Sequence, residues 1–128
     1  MAEKNSEIGR KGEESAINWL VKRDFKVLST NYRKPYGEID IVAQKGGIIH
    51  FVEVKTSKYR HETAFSPEIR VNSKKIRNLK RICETYIRER NVSHDQGWQI
   101  DVISVILDGT DAVMDMKLLE NAIFEERY

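Results

Sequence analysis

A chain of 128 residues and 14.9 kDa is the size of one ordinary domain and can bury a core without disulfide or metal staples. Hydrophobic residues at 40% and charged residues at 33% exclude a disordered chain, and a net charge of +2 singles out no partner. The lone Cys83, the polar N-terminus and apolar runs far short of the roughly 20 residues of a membrane span argue against a disulfide framework, a secretory signal and a membrane helix, which leaves a cytoplasmic domain.

Residues from about Asn5 to Arg23 read as an amphipathic helix. Ala16, Ile17, Trp19 and Leu20 supply its apolar stripe, and Asn5 or Ser6 can cap it. Phe25 to Tyr32 is a short strand, closed by Pro35-Tyr36-Gly37. Glu38 to Gln44 and Ile48 to Lys55 are the clearest strands, rich in Ile and Val and joined by the hairpin signal Lys45-Gly46-Gly47. Both carry apolar residues on both faces, the pattern of a sheet covered on both sides by helices.

Ser57 to Ser66 is polar and reads as a loop, with His61 in it as a candidate proton shuttle. A helix is predicted from after Pro67 to about Arg90, with Ile76, Leu79, Cys83, Tyr86 and Ile87 facing inward. Ile100 to Leu107 is a further strand, Asp108-Gly109 a turn, Ala112 to Leu118 a last strand, and Leu119 to Glu126 a short terminal helix. No repeat or linker divides the chain, so residues 1–128 form a single α/β domain, a mixed sheet flanked by helices.

Charges inside such strands need a reason. Strand alternation puts Glu53 and Lys55 on one face, about 6.6 Å apart. If Gly46-Gly47 is a two-residue turn, the numbers of every cross-strand pair add to 93, and Asp40 falls opposite Glu53. Two opposed carboxylates in a covered sheet repel each other. A hard divalent cation, Mg²⁺ or Mn²⁺, relieves that repulsion because it takes oxygen ligands and needs few carboxylates. With Lys55 beside them, this is equipment for metal-assisted phosphodiester hydrolysis.

The stretch Arg70 to Arg90 holds eight bases and two acids, while Asp108 to Arg127 holds two bases and six acids. Lys74, Lys75, Arg77, Lys80 and Arg81 are therefore candidates to follow a phosphate backbone. Tyr32, Tyr36 and Tyr59 lie near the hairpin, where aromatic rings can stack on bases. Cys83, on the apolar stripe of its helix, reads as core.

Gly37-Glu38-Ile39-Asp40, followed by Phe51-Val52-Glu53-Val54-Lys55-Thr56, resembles the PD-(D/E)xK nuclease motif. More narrowly, the chain resembles the YraN-like family of bacterial proteins. That likeness rests on Gly9, Gly12-Glu13, Ala16, Trp19-Leu20 and Asn31-Tyr32-Arg33, and later on Val71, Lys75, Leu79 and Asp101-Val102. It departs from the family where Ser57 and Gln99 stand at positions usually held by Arg. The resemblance implies a restriction-endonuclease-like fold related to archaeal Holliday junction resolvases. It implies Asp40 and Glu53 as metal ligands, Lys55 as the catalytic lysine, Glu13 as an added acidic residue near the metal, and Lys75 pointing toward the site.

The function implied is hydrolysis of phosphodiester bonds in DNA, with branched or recombining structures among the candidate substrates. The alternative is a nucleic-acid-binding or accessory module that keeps the fold without the chemistry. A homodimer would suit a substrate with two-fold symmetry, although no dimer patch is legible.

Overall fold

In the computed structural model, residues 7–59 and 73–122 are described. Helix α1 spans Glu7–Lys22, followed by strands β1 (Lys26–Lys34), β2 (Gly37–Lys45) and β3 (Ile48–Lys58). Helix α2 (Ser73–Glu89) then leads to β4 (Gly97–Leu107) and β5 (Val113–Leu119). The strands form one five-stranded sheet in the order β1-β2-β3-β4-β5. Neighbours are antiparallel except β3 and β4, which run parallel because α2 carries the chain across one face between them. This is the mixed sheet flanked by helices expected of the sequence, consistent with a restriction-endonuclease-like fold.

Gly46 and Gly47 set the register of the β2–β3 hairpin. Both adopt left-handed backbone, at φ 59° and 77°, as the two central residues of a tight primed turn require. The resulting pairs run from Lys45 opposite Ile48 to Ile41 opposite Val52, so the two-residue loop and its parity hold.

Alternation then sorts the apolar residues onto two cores. On one face Tyr32, Ile39, Val42, Ile49, Phe51 and Ile100 pack against Leu79, Ile82, Cys83 and Tyr86 of α2. On the other, Ile41, Ala43, Val52, Val54, Ile103 and Val105 pack with Phe25 beneath Ala16 and Leu20 of α1. Each fully buried large side chain contributes about 1.5–3 kcal/mol relative to exposure. Cys83 is part of this core, and burial pushes its thiol well above the ordinary cysteine range, away from nucleophile chemistry.

The ends of the elements differ from the sequence reading: β1 runs on to Lys34, β4 begins already at Gly97, and two further ends shift. Strand β3 continues through Ser57 and Lys58, which pair with Ile106 and Leu107 instead of opening a loop. A neighbouring strand on that side offers these polar residues backbone partners, which outweighs their loop propensity. Leu119 closes β5, and Glu120 and Asn121 form a turn where a terminal helix is predicted to begin. The caps Asn5 and Ser6, residues 60–66 of the polar loop with His61 among them, and residues 123–126 of the terminal helix lie outside the described residues.

Gly12 is where α1 meets the sheet most closely. A Cβ at this position would lie 1.9 Å from Thr56 Oγ1 and 2.9 Å from its Cβ, so only glycine lets the helix settle on β3. Gly12→Ala should destabilise the fold by about 1–3 kcal/mol in urea unfolding, the usual cost of overpacking. Adding Thr56→Ala removes the nearest atom and should recover part of that loss; equal stability of Gly12→Ala and wild type would show that the close approach is absent.

Candidate active site

Strands β2 and β3 part at the point where the charged residues begin. The last registered pair is Ile41 with Val52, one step short of Asp40 and Glu53, so the expected pairing of Asp40 opposite Glu53 is not part of the ladder. There the Val54 N–H donates to Asp40 Oδ2 at 2.8 Å, so a side chain takes the place of a ladder partner. Asp40 is only 2% exposed, and burying a carboxylate is costly unless donors meet it. The strand also turns at this point: Ile39 lies in the α2-side core and Ile41 in the α1-side core, against simple alternation. Asn31 on the neighbouring strand adopts φ 52°, a left-handed break before Tyr32 joins the α2 side beside Ile39.

Glu53 follows Phe51 on the α2 face, and its carboxylate gathers two lysines. Lys75 Nζ from α2 lies 3.4 Å from Glu53 Oε2, and Lys55 Nζ from the same strand lies 3.7 Å from it. The Glu53 side chain is 16% exposed, so this pairing is screened less than a surface ion pair. Lys75 does point at the site from α2, as the family likeness implies.

Glu53 and Lys75 border a cleft of about 390 Å³ between the β2 entrance and the start of α2. Tyr36, Gly37, Glu38 and Glu53 form one wall, and Lys74, Lys75, Asn78, Leu79 and Ile82 the other. Tyr36 is fixed there at both ends. Its hydroxyl meets Thr85 Oγ1 at 2.6 Å, and the Arg81 guanidinium lies 3.8 Å over its ring.

Glu38 is the wall residue to which sequence reasoning assigned no role. Its Oε1 lies 3.5 Å from Arg33 Nε, while its Oε2 is buried with no hydrogen-bond partner among the described residues. An unsatisfied buried acceptor costs about 1–3 kcal/mol and marks a place for a ligand to supply what the protein does not. The signal was available, since Glu38 sits two residues before Asp40 in the same motif.

Glu13 is half-buried on α1, next to the glycine that rests on Thr56, and so lies beside the strand that carries Glu53 and Lys55. Among the described residues, no three His, Cys, Asp or Glu side chains are placed to hold a metal, so Glu13, Asp40 and Glu53 do not form a three-ligand set. The five basic candidates of α2 also separate. Lys74 and Lys75 line the cleft, Arg77 and Arg81 are exposed, and Lys80 is half-buried. At 100° per residue, Lys74, Arg77 and Arg81 share one stripe, while Lys75 and Lys80 fall to either side.

Tyr32 belongs to the core instead of a stacking surface. It is 9% exposed, and its hydroxyl donates to Glu89 Oε1 at 2.6 Å. Burial, then this bond, raise the Tyr32 hydroxyl pKa, while Lys34 and Tyr32 together lower that of Glu89. Tyr59, at 47% exposure, is the most open of the three tyrosines near the hairpin. No helix among the described residues is long and apolar enough to cross a membrane.

Comparison with known proteins agrees with the motif reading at the level of family. Residues 12–105 match the uncharacterised protein family UPF0102. A UPF0102 protein of Dictyoglomus thermophilum is 39% identical over 119 residues, 92% of this chain and 98% of the relative. One from Caldicellulosiruptor saccharolyticus is 35% identical over 91% of this chain and 96% of its own length. Another, from Campylobacter lari, is 35% identical over 89% of this chain and 91% of its own. The chain therefore belongs to UPF0102, the YraN-like family whose motifs run from Gly12 through Asp101.

Proposed function

We propose that this chain is a metal-dependent nuclease of the PD-(D/E)xK kind, cleaving phosphodiester bonds in DNA, with branched or recombination intermediates as the substrates to try first. The observation that carries the reading is the Glu53 carboxylate, held by Lys55 and Lys75 on a cleft wall where β2 and β3 part at the buried Asp40. A sheet that needed only stability would be served as well by apolar residues at these places.

The oxygen donors fit a hard divalent cation. Asp40 and Glu53 are adjacent to the parted ladder, and the orphaned Glu38 Oε2 lies in a residue of the same cleft. Asp40 and Glu53 would hold Mg²⁺ or Mn²⁺ with water completing the shell. Bound there, the ion would polarise a phosphoryl oxygen and lower the pKa of a coordinated water. Lys55, which lies beside Glu53, would stabilise charge developing on the phosphate. Lys75 keeps Glu53 oriented from the opposite wall.

Lys74, Arg77 and Arg81 form the stripe on which a phosphate backbone would lie, and Tyr36 beneath Arg81 stiffens its end. Glu13 would act from α1 as an outer acidic residue. A buried Cys83 suits the reducing cytoplasm, and a homodimer would match a two-fold substrate. A second reading, binding without cleavage, draws on the lack of a three-ligand set among the described residues.

Cleavage assays on linear, nicked, flapped and four-way DNA with Mg²⁺ or Mn²⁺ separate the two readings. Lys55→Ala should lower the rate by about 100-fold or more, as the loss of a preorganised charge does, and Asp40→Asn should abolish metal-dependent cleavage. Binding with no cleavage by wild type on any substrate would replace the nuclease by the accessory module.

Affinity for duplex DNA should fall with salt at a log–log slope of about −3, for roughly three phosphate contacts at ~0.9 each. Reversing Arg77 and Arg81 to Glu should flatten that slope and weaken every sequence alike. An unchanged slope in the double variant would make α2 a solvated face with no part in binding.

A further inference from the structure

A second pocket, of about 430 Å³, opens at the other end of the sheet around the hairpin turn. Arg23, Phe25, Lys45, Ile48, His50 and Leu118 are on its wall, together with Gln99 and Glu120. It shares no residue with the first cleft. His50 precedes Lys55 by five residues, roughly 16 Å along the strand, and packs on the α1 side where Phe25 lies.

His50 is 7% exposed and its Nδ1 lies 2.6 Å from Oδ2 of Asp101, which is fully buried. The remaining Asp101 oxygen accepts from Gln99 Nε2 and from the Asn121 N–H, each at 2.8 Å. An ionised Asp101 can only accept, so the Nδ1 that faces it carries the proton. That fixes the ring: Nε2 is the nitrogen left for a ligand, and it becomes a second donor when the imidazole is protonated. The Phe25 ring stands edge-on to His50 at 5.0 Å and holds its plane.

Two bases are held at the rim by aromatic rings. Lys45 Nζ lies 5.0 Å from the Phe25 ring centre. The Arg23 guanidinium lies 3.7 Å over Trp19, and its Nη1 approaches Trp19 O at 3.4 Å. Such contacts restrict long side chains and reduce the entropy lost when they meet an anion. Among the described residues the single acid on the wall is Glu120, which is engaged by Gln99 Nε2 at 3.4 Å.

We propose that this pocket binds a phosphomonoester, whose terminal phosphate meets His50 Nε2 and is flanked by Lys45 and Arg23 while its organic part lies on Phe25, Ile48 and Leu118. Two bases on the wall oppose a metal cation. A buried imidazole at the floor with cations at the rim suits a terminal group that can enter, which the internal phosphate of a continuous strand cannot do. The same chemistry could come from a free nucleotide or from the phosphorylated end of a DNA strand. The assignment does not depend on nuclease activity at the other cleft.

NMR of the His50 ring nitrogens in the full chain tests it directly. The probes are inorganic phosphate, thymidine monophosphate, a short single-stranded oligonucleotide with a terminal phosphate, and the same oligonucleotide without one. The phosphate-bearing probes should shift His50 Nε2 saturably, and the unphosphorylated oligonucleotide should not. Tighter binding of the mononucleotide identifies a free nucleotide as the ligand, and tighter binding of the phosphorylated strand identifies a DNA end. Lys45→Ala and Arg23→Ala, both exposed and outside the core, should each weaken binding by about tenfold, the loss of one charge-assisted contact. His50→Gln should abolish binding if it folds, and the rim variants decide the matter if it does not. No shift with any phosphate, an equal shift from the unphosphorylated strand, or full affinity in the Lys45→Ala/Arg23→Ala double variant would overturn the proposal.

Discussion

The bond from the Val54 N–H to Asp40 Oδ2 is the constraint on which the rest of the site depends. At this place two central strands stop sharing backbone bonds, and a parted ladder inside a sheet leaves buried groups that must find partners. Asp40 supplies one, which holds a carboxylate at 2% exposure beside the stretch of β3 that carries Glu53. The parting also gives Tyr36, Gly37 and Glu38 a wall of their own opposite α2. Replace the carboxylate and β2 could pair further with β3, closing the seam that the proposed chemistry needs.

Much of this was legible in the sequence, and the reason is local. Gly46-Gly47 forms a tight two-residue turn, and that turn fixes the parity of the hairpin as far as Ile41 opposite Val52, beyond which the ladder stops before Asp40 and Glu53. The two-sided apolar strands likewise required helices on both faces, as Ala16 and Leu20 on one side and Ile82 and Cys83 on the other provide. What stayed hidden depends on contacts between distant segments. His50 and Asp101 are 51 residues apart and meet because β3 and β4 run parallel in register. The halting of the ladder at Ile41 coincides with the break at Asn31 on the next strand, which no spacing rule announces. Tyr32 looked available for stacking because its bond to Glu89, 57 residues away, exists only in the fold.

The two pockets use one sheet in opposite ways. Glu53 faces α2 from the late half of β3, where the cleft wall carries Glu38, Glu53, Lys74 and Lys75. His50 works from the early half toward the α1 side, where a buried carboxylate orients an imidazole and the rim is basic. Gln99 meets Asp101 through an uncharged amide. An amide leaves the Asp101 charge to the Nδ1–H of His50, whereas a guanidinium would compete for it.

The central claim is that the seam between β2 and β3 holds a divalent cation, and anomalous diffraction from crystals soaked in Mn²⁺ tests it most directly. A peak bridging the Asp40 and Glu53 carboxylates, with Lys55 Nζ moved away from Glu53 Oε2, is the expected result. A map with no Mn²⁺ peak at the seam, and the Glu53–Lys55–Lys75 group intact at saturating metal, would contradict it.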